Sequence, residues 1–319
     1  MLSTTGLMLP KIAEIAPSWT SRTVSIRPKT GWPTFNPSIC WNGTEILTVI
    51  RTANYRLDPQ WHSMEMLSAP LDFFLPGPDP RTVNYIGSLS EKLEWLRAPI
   101  PIVLPEGCGN PAWREGIEDC RLLLIEGALF AIATIYDRSS GDNLMGLVRL
   151  RDDGGISGVL TLVSPLNKPR EKNWMPLVRG KTLHLIYSCN PVIAVTIDFG
   201  SNAMSSRKIE DGPAELRGWA GSSQGCDVDG SMLCIVHHKV LIADRLHYSH
   251  RFVMFDDDLH ICALSAPFIF QHEGVEFCAG MTRVHDRLFV SYGVGDNAAM
   301  IGSLSVAEAL DSLAWRRRA

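Results

Sequence analysis

The chain has 319 residues, of which 45% are apolar and 20% charged, and its formal net charge is −4. That composition fits a core-forming globular protein and excludes intrinsic disorder. Mixed charge signs, with no basic run before Arg316-Arg317-Arg318, exclude a nucleic-acid-binding face, so no nucleic-acid partner is expected.

The N-terminal stretch MLSTTGLMLPKIAEI lacks both the charged start and the apolar core of a secretory signal. No apolar run approaches the roughly 20 residues of a membrane span. A cytoplasmic protein without a membrane partner is expected. The eight cysteines include no C-x-x-C pair, and several sit in apolar strand segments, which predicts reduced core thiols and no metal.

One unit then recurs five times: an apolar segment carrying polar groups, a tight turn, and an alternating apolar strand. The units are Asn36-Pro37-Ser38-Ile39 before Gly43, Glu118-Asp119-Cys120-Arg121 before Gly127, Lys172-Asn173-Trp174-Met175 before Gly180, Gly221-Ser222-Ser223 before Gly230, and Glu276-Phe277-Cys278-Ala279 before Asp286. The turns are 84, 53, 50 and 56 residues apart. Strands on both sides of a turn, repeated at about 50 residues, predict an all-β five-bladed β-propeller, and roughly 60 residues per blade uses residues 1–319 as one domain. Innermost strands of a propeller converge on one axis, so their polar side chains should meet in a single pocket.

Between the units the reading is coarser. Residues 52 to 113, rich in Pro and Trp, should complete the first blade and lay a loop over the channel mouth, with Ile86 to Leu96 ambiguous between strand and helical turn. Residues 138 to 170 read as outer strands of the second blade. The run RFVMFDDDLHICALS reads as a hairpin with Asp256, Asp257 and Asp258 solvated at its bend. A last helix, SVAEALDSLAW, opens on a Ser305-to-Glu308 capping box and is expected to be closed by the arginine triplet.

Several of these residues could do chemistry. Glu118 and Asp119 are adjacent on a strand, so only one can face the channel unless a bulge intervenes; Asp119 is a general acid if burial dominates and a salt-bridge partner if Arg121 points at it. Arg51, Lys172 and His237 lie where strands present side chains to the axis and could hold a phosphate or sugar hydroxyls. Tyr292 and Asp296, in YGVGDN, combine an apolar face with an acceptor, as pyranose recognition requires. The G-x-S-x-G match at Gly221 to Gly225 lacks the following helix of a nucleophile elbow, and no nucleotide fingerprint is present, so no cofactor is expected.

Taken together, FNPSI with Arg51, GIEDCR, EKNWMPL, the His237 strand and SYGVGDN resemble glycoside hydrolase family 130, the β-mannoside phosphorylases and hydrolases, over most of the chain. GIEDCR is similar to that family's G-x-E-D-P-R signature with Cys120 in place of proline. The resemblance implies inverting cleavage of a β-mannoside-like bond in an oligosaccharide or glycoside, with Asp119 as proton donor acting through a sugar hydroxyl. It implies Asn36, Arg51, Glu118, Asn173, Tyr292 and Asp296 as substrate contacts, Lys172 and His237 as phosphate ligands, and inorganic phosphate as a co-substrate. If water attacks instead, Glu276 or Asp296 would be the base, with Asp296 preferred. YSHRFVMFD and the GVEFCAGM stretch are similar to propellers associated with glycosyltransferases, which keeps a mannosyl transferase and a non-catalytic glycan-binding propeller as alternatives.

Overall fold

The computed structural model describes residues 9–54, 81–103, 116–199, 203–242 and 245–316. After a short helix α1 (Ile12–Ile15), strand β1 (Thr20–Thr23) precedes the first blade, formed by β2 (Thr34–Trp41), β3 (Ile46–Ala53), β4 (Thr82–Leu89) and β5 (Trp95–Pro101). The second blade is β6 (Glu118–Ile125), β7 (Ala128–Asp137), β8 (Asp142–Leu150) and β9 (Ile156–Thr161); the third is β10 (Met175–Arg179), β11 (Thr182–Cys189), β12 (Val192–Asp198) and β13 (Ala203–Glu210). In the fourth, β14 (Ala220–Gly221) and β15 (Cys226–Val228) both pair with β16 (Ser231–Ile242), followed by β17 (Arg245–Phe255) and β18 (Ile261–Ser265). The fifth is β19 (Glu276–Val284), β20 (Arg287–Val294) and β21 (Ala298–Ser305), after which come helix α2 (Val306–Asp311) and β22 (Leu313–Trp315).

All pairings named are antiparallel, and each blade is the run of hairpins that the alternating segments predicted. The five turns read from sequence are the links between the first and second strand of each blade. Apolar residues pack between neighbouring blades: Leu47, Val49 and Ile86 of the first meet Leu122, Leu129 and Ala131 of the second. Leu123 and Ile132 of the second in turn meet Leu183, Leu185 and Val195 of the third.

The chain termini depart from expectation. β1 pairs with β21 and so supplies the outermost strand of the fifth blade, while β22 pairs with β18 at the outer edge of the fourth. The last helix therefore stops at Asp311, and Arg316 lies beyond β22, 3.7 Å from Glu215, rather than closing a helix. Ser305 caps α2 as predicted, but the Glu308 carboxylate accepts from Ser18 instead of closing the box. The Ile86 to Leu96 region resolves into the end of β4, the β4–β5 turn and the start of β5, and the expected loop over the mouth falls in 55–80 and 104–115, outside the described residues. The seven cysteines among the described residues are free thiols. No helix among the described residues is long and apolar enough to cross a membrane.

Candidate functional site

The first strands of the blades carry their polar residues at one end of the axis because the ladder is interrupted there. β2 bulges between Phe35 and Ser38, and β6 between Glu118 and Arg121. At each bulge one residue takes a left-handed conformation, Asn36 at φ 44° and Asp119 at φ 49°. Asn173, just before β10, and Asp296, in the β20–β21 turn, do the same at 66° and 48°. Asn and Asp tolerate this region better than other non-glycine residues, and such conformations concentrate where a side chain must be re-aimed.

The bulge in β6 resolves the alternation problem: Glu118 and Asp119 both reach Arg51 of β3. Arg51 Nη2 lies 3.1 Å from Glu118 Oε2, and Nη1 donates to Asp119 Oδ1 at 2.8 Å. Asn36 Nδ2 donates to the same Asp119 oxygen at 3.1 Å. Gly293 of β20 makes room for this contact, since a Cβ there would stand 2.1 Å from Asn36 Oδ1.

Arg121, fully buried, does not face the Asp119 carboxylate. It donates to the Asp119 carbonyl, to Asn173 Oδ1 and to the Ser222 carbonyl, each at 2.8 Å, and lies over the Phe277 ring. One guanidinium thus joins blades two, three and four. Further ties complete the hub. Ser38 Oγ accepts from Leu122 N, Ser222 Oγ donates to the Cys278 carbonyl, and the Gln224 amide donates to Ile39 O and accepts from Met281 N. The G-x-S-x-G segment is therefore the break between β14 and β15, with its hydroxyls spent on the backbone.

Electrostatics separate the carboxyls. Burial works to raise the pKa of Asp119, but Arg51, Arg121, Lys172 and the Asn36 amide outweigh it and hold the group at about 2. For Asp296 burial is the main influence, and repulsion from Asp119 and Glu118 adds to it against Arg51 and Lys172, giving about 6. Lys172 is exposed at the rim, where its charge acts on both aspartates. Lys239, whose pKa is lowered by burial and then by Lys172 and Arg170, extends the same cationic rim.

Other expected residues lie differently. His237 is buried with its ring stacked on Tyr248 and edge-on to Phe277. Burial, with His250, Arg121 and Lys239 adding, pushes its pKa well below the usual value, so any contact it makes with an anion is through a neutral imidazole N–H. Tyr292 is taken away from the pocket: it is fully buried, stacked on Phe270, and its hydroxyl is held by Gln271. Glu276 accepts from the N–H groups of Phe270, Gln271 and His272 at 2.7 to 3.0 Å, which makes it the anchor of that loop rather than a free base. Asn173 serves Arg121.

Tyr248 and Lys239, direct partners across β16 and β17, do not stand out in the sequence. Tyr248 is partly exposed, its ring stacks on His237, and its hydroxyl feels Asp296 and Asp119. Its place opposite Lys239 depends on the β16–β17 register, which the HYSH segment does not display. The Asp256–His260 turn lies at a hairpin tip, where Asp256 Oδ1 accepts from Asp258 N and His260 N.

No protein-family model matches the chain, and no curated protein is significantly similar to it in sequence. Solved structures do match. A β-1,2-mannobiose phosphorylase from Listeria innocua is 14% identical with a TM-score of 0.62, covering 92% of this chain and 93% of its own. A structure from the GH130 family of mannoside phosphorylases, described with glycoside hydrolases that target β-1,2-mannosidic linkages in Candida mannan, is 14% identical with a TM-score of 0.61 and coverage of 94% and 93%. A GDP-Man-dependent mannosyltransferase from Leishmania mexicana is 13% identical with a TM-score of 0.57 and coverage of 90% and 89%. The resemblance read from the motifs therefore holds in three dimensions: this chain has the five-bladed fold of the GH130 mannoside phosphorylases and their structural relatives.

Proposed function

We propose that the hub pocket is the active site of a carbohydrate-active enzyme that cleaves a β-mannoside-like glycosidic bond with inversion, by phosphorolysis or hydrolysis. The observation that carries this reading is the gathering of three carboxyls, Glu118, Asp119 and Asp296, around Arg51 and Lys172 at one end of the propeller axis. Carboxyl groups with well-separated pKa values in one pocket are what acid–base catalysis at a glycosidic bond requires. Asp119 stands where the resemblance places the proton donor, and Asp296 is the second carboxyl within reach of its charge. The Lys172–Lys239 rim suits an attacking phosphate, which brings its own nucleophilic oxygen.

The test is incubation with a panel of β-mannosides with and without inorganic phosphate, reading mannose 1-phosphate against free mannose. Asp119→Asn should lower turnover by about 10²- to 10⁴-fold while sparing glycan binding. Retained turnover would exclude Asp119 from the chemistry. A mannosyl transfer reading is favoured by the likeness to the GDP-Man-dependent enzyme. Adding an activated mannose donor and an acceptor sugar to the same panel separates it from cleavage.

A further inference from the structure

We infer that the substrate carries a phosphate ester on the part that leads out of the hub, and that Arg170 and Lys239 bind it, so that the substrate class is a phosphorylated glycoside rather than a neutral one. For the sugar this rests on the enzymatic reading; for the anion it does not.

The segment that enters the third blade presents its cations on a pinned backbone. In Lys168-Pro169-Arg170-Glu171-Lys172 the one acid is turned inward: Glu171 is buried and accepts from Ser164 Oγ, Lys168 N, Tyr187 Oη and Trp174 Nε1. On both sides of Arg170 the chain is tied to Asn143 of β8, whose N–H donates to the Pro169 carbonyl and whose carbonyl accepts from Glu171 N. Arg170 and Lys172 are left exposed.

The fourth blade adds a third cation. Asn173 packs against Gly221 of β14, where a Cβ would stand 2.2 Å from the Asn173 carbonyl oxygen, and the adjacent Ala220 pairs with His237 of β16. β16 runs on past that last β14 pair, so exposed Lys239 projects beyond the innermost strand, within reach of the charges of Lys172 and Arg170. None of these three has an ion pair among the described residues, whereas Arg97, Arg179, Lys181 and Lys208 each have an acid at salt-bridge distance. In a chain of net charge −4 this is a local excess of positive charge, and a bound anion relieves the repulsion within it.

Charge and direction select the anion and its place. A uronate brings one negative charge, whereas a phosphate monoester brings about −1.5 to −2 at neutral pH, on oxygens that a guanidinium fork and two ammonium groups can share. Lys172 belongs to the pocket as well, since its charge acts on Asp119 and Asp296. Arg170 lies farther out, beside the third strand of the second blade, and Lys239 stands beyond the end of β14. The cations therefore lead outward from the reacting carboxyls, which is the course of the part of a glycoside that does not react.

The experiment is isothermal titration of the full-length protein with mannose 6-phosphate, mannose, a uronic acid and inorganic phosphate, at low and high salt, with Arg170→Gln and Lys239→Gln alongside. Mannose 6-phosphate stands for a phosphorylated outgoing unit with no bond to cut. It should bind at least about ten-fold more tightly than each of the other three, weaken at high salt, and bind each variant about three- to ten-fold more weakly. Binding of β-1,2-mannobiose to Arg170→Gln should match wild type. Both residues are exposed, so neither change leaves a buried group unsatisfied, and either variant alone is decisive. Mannose 6-phosphate bound no better than mannose or the uronic acid, or bound by both variants as by wild type, would overturn the inference. So would inorganic phosphate bound as tightly as the ester and lost in the same variants, which would make the rim a site for free phosphate. A protein that binds the ester through Arg170 and Lys239 but cuts no β-mannoside, phosphorylated or neutral, would keep the inference and reject the enzymatic reading. Equal kcat/KM on neutral and phosphorylated β-mannosides would do the reverse.

Discussion

Arg121 is a buried charge with no carboxylate ligand among the described residues, where three oxygens from three blades take its donors. Arg121→Met should leave the Ser222 and Asp119 carbonyls and Asn173 Oδ1 without these donors, at about 1–3 kcal/mol per unsatisfied group. Urea midpoints measure this; a variant as stable as wild type would mean that the hub polar network does not hold the blades. Gly293→Ala tests the pocket more finely. The new Cβ would collide with Asn36 Oδ1, costing roughly 1–3 kcal/mol by overpacking and pulling the amide off Asp119. Turnover should fall with stability, whereas Ala tolerated without change in either would show that Asn36 has room to move. Little of this is legible in the sequence. Asp119, Arg51 and Asp296 can be named from motifs, but two of Arg121's three partners lie 52 and 101 residues away, and no local pattern displays them.

Elements are legible where periodicity is local. The five turns between first and second strands of the blades and the Asp256 hairpin are placed by alternation and turn residues alone. Bulges are not, because an extra residue in one strand is defined only against its partner; hence the adjacent acids at 118 and 119 look as though they must face apart. β1 and β22 are also hidden, since short strands that pair with β21 and β18 far along the chain carry too little pattern of their own. β1 is positioned by its neighbour Trp19, whose ring lies against Gly302 where a Cβ would be 2.2 Å away, and which stacks 5.9 Å from Phe270. Trp19→Ala should therefore cost about 3 kcal/mol and loosen the closing strand of the fifth blade. Hydrogen exchange at residues 300–303 reports that loosening; protection equal to wild type would show that β1 holds its place without the indole.

At the scale of the whole molecule, the ring buries two histidines opposite one another on β16 and β17, His237 and His250. Burial lowers the His250 pKa to about 3 and takes His237 well below its usual value. Unfolded, both imidazoles bind a proton near pH 6.5. Between that pH and the folded pKa the unfolded chain holds the extra proton, so the stability these residues contribute is complete above pH 6.5 and drains away as the pH falls toward 3. Asp296 acts in the opposite sense. Its folded pKa of about 6 exceeds the ordinary aspartate value of 3.8, so its contribution is complete below 3.8 and is lost as the pH rises through 6. The two effects oppose each other between pH 4 and 6, which makes single variants more telling than the wild-type curve. Replacing His250 by Phe, among the Phe268 and Phe270 rings, removes one proton uptake and should flatten the fall in unfolding free energy by about 1.4 kcal/mol per pH unit below pH 6. Asp296→Asn removes the compensation and should steepen it over the same window. Denaturant midpoints at pH 7, 6 and 5 separate these outcomes: a His250→Phe slope equal to wild type would mean that this imidazole already carries a proton inside the fold.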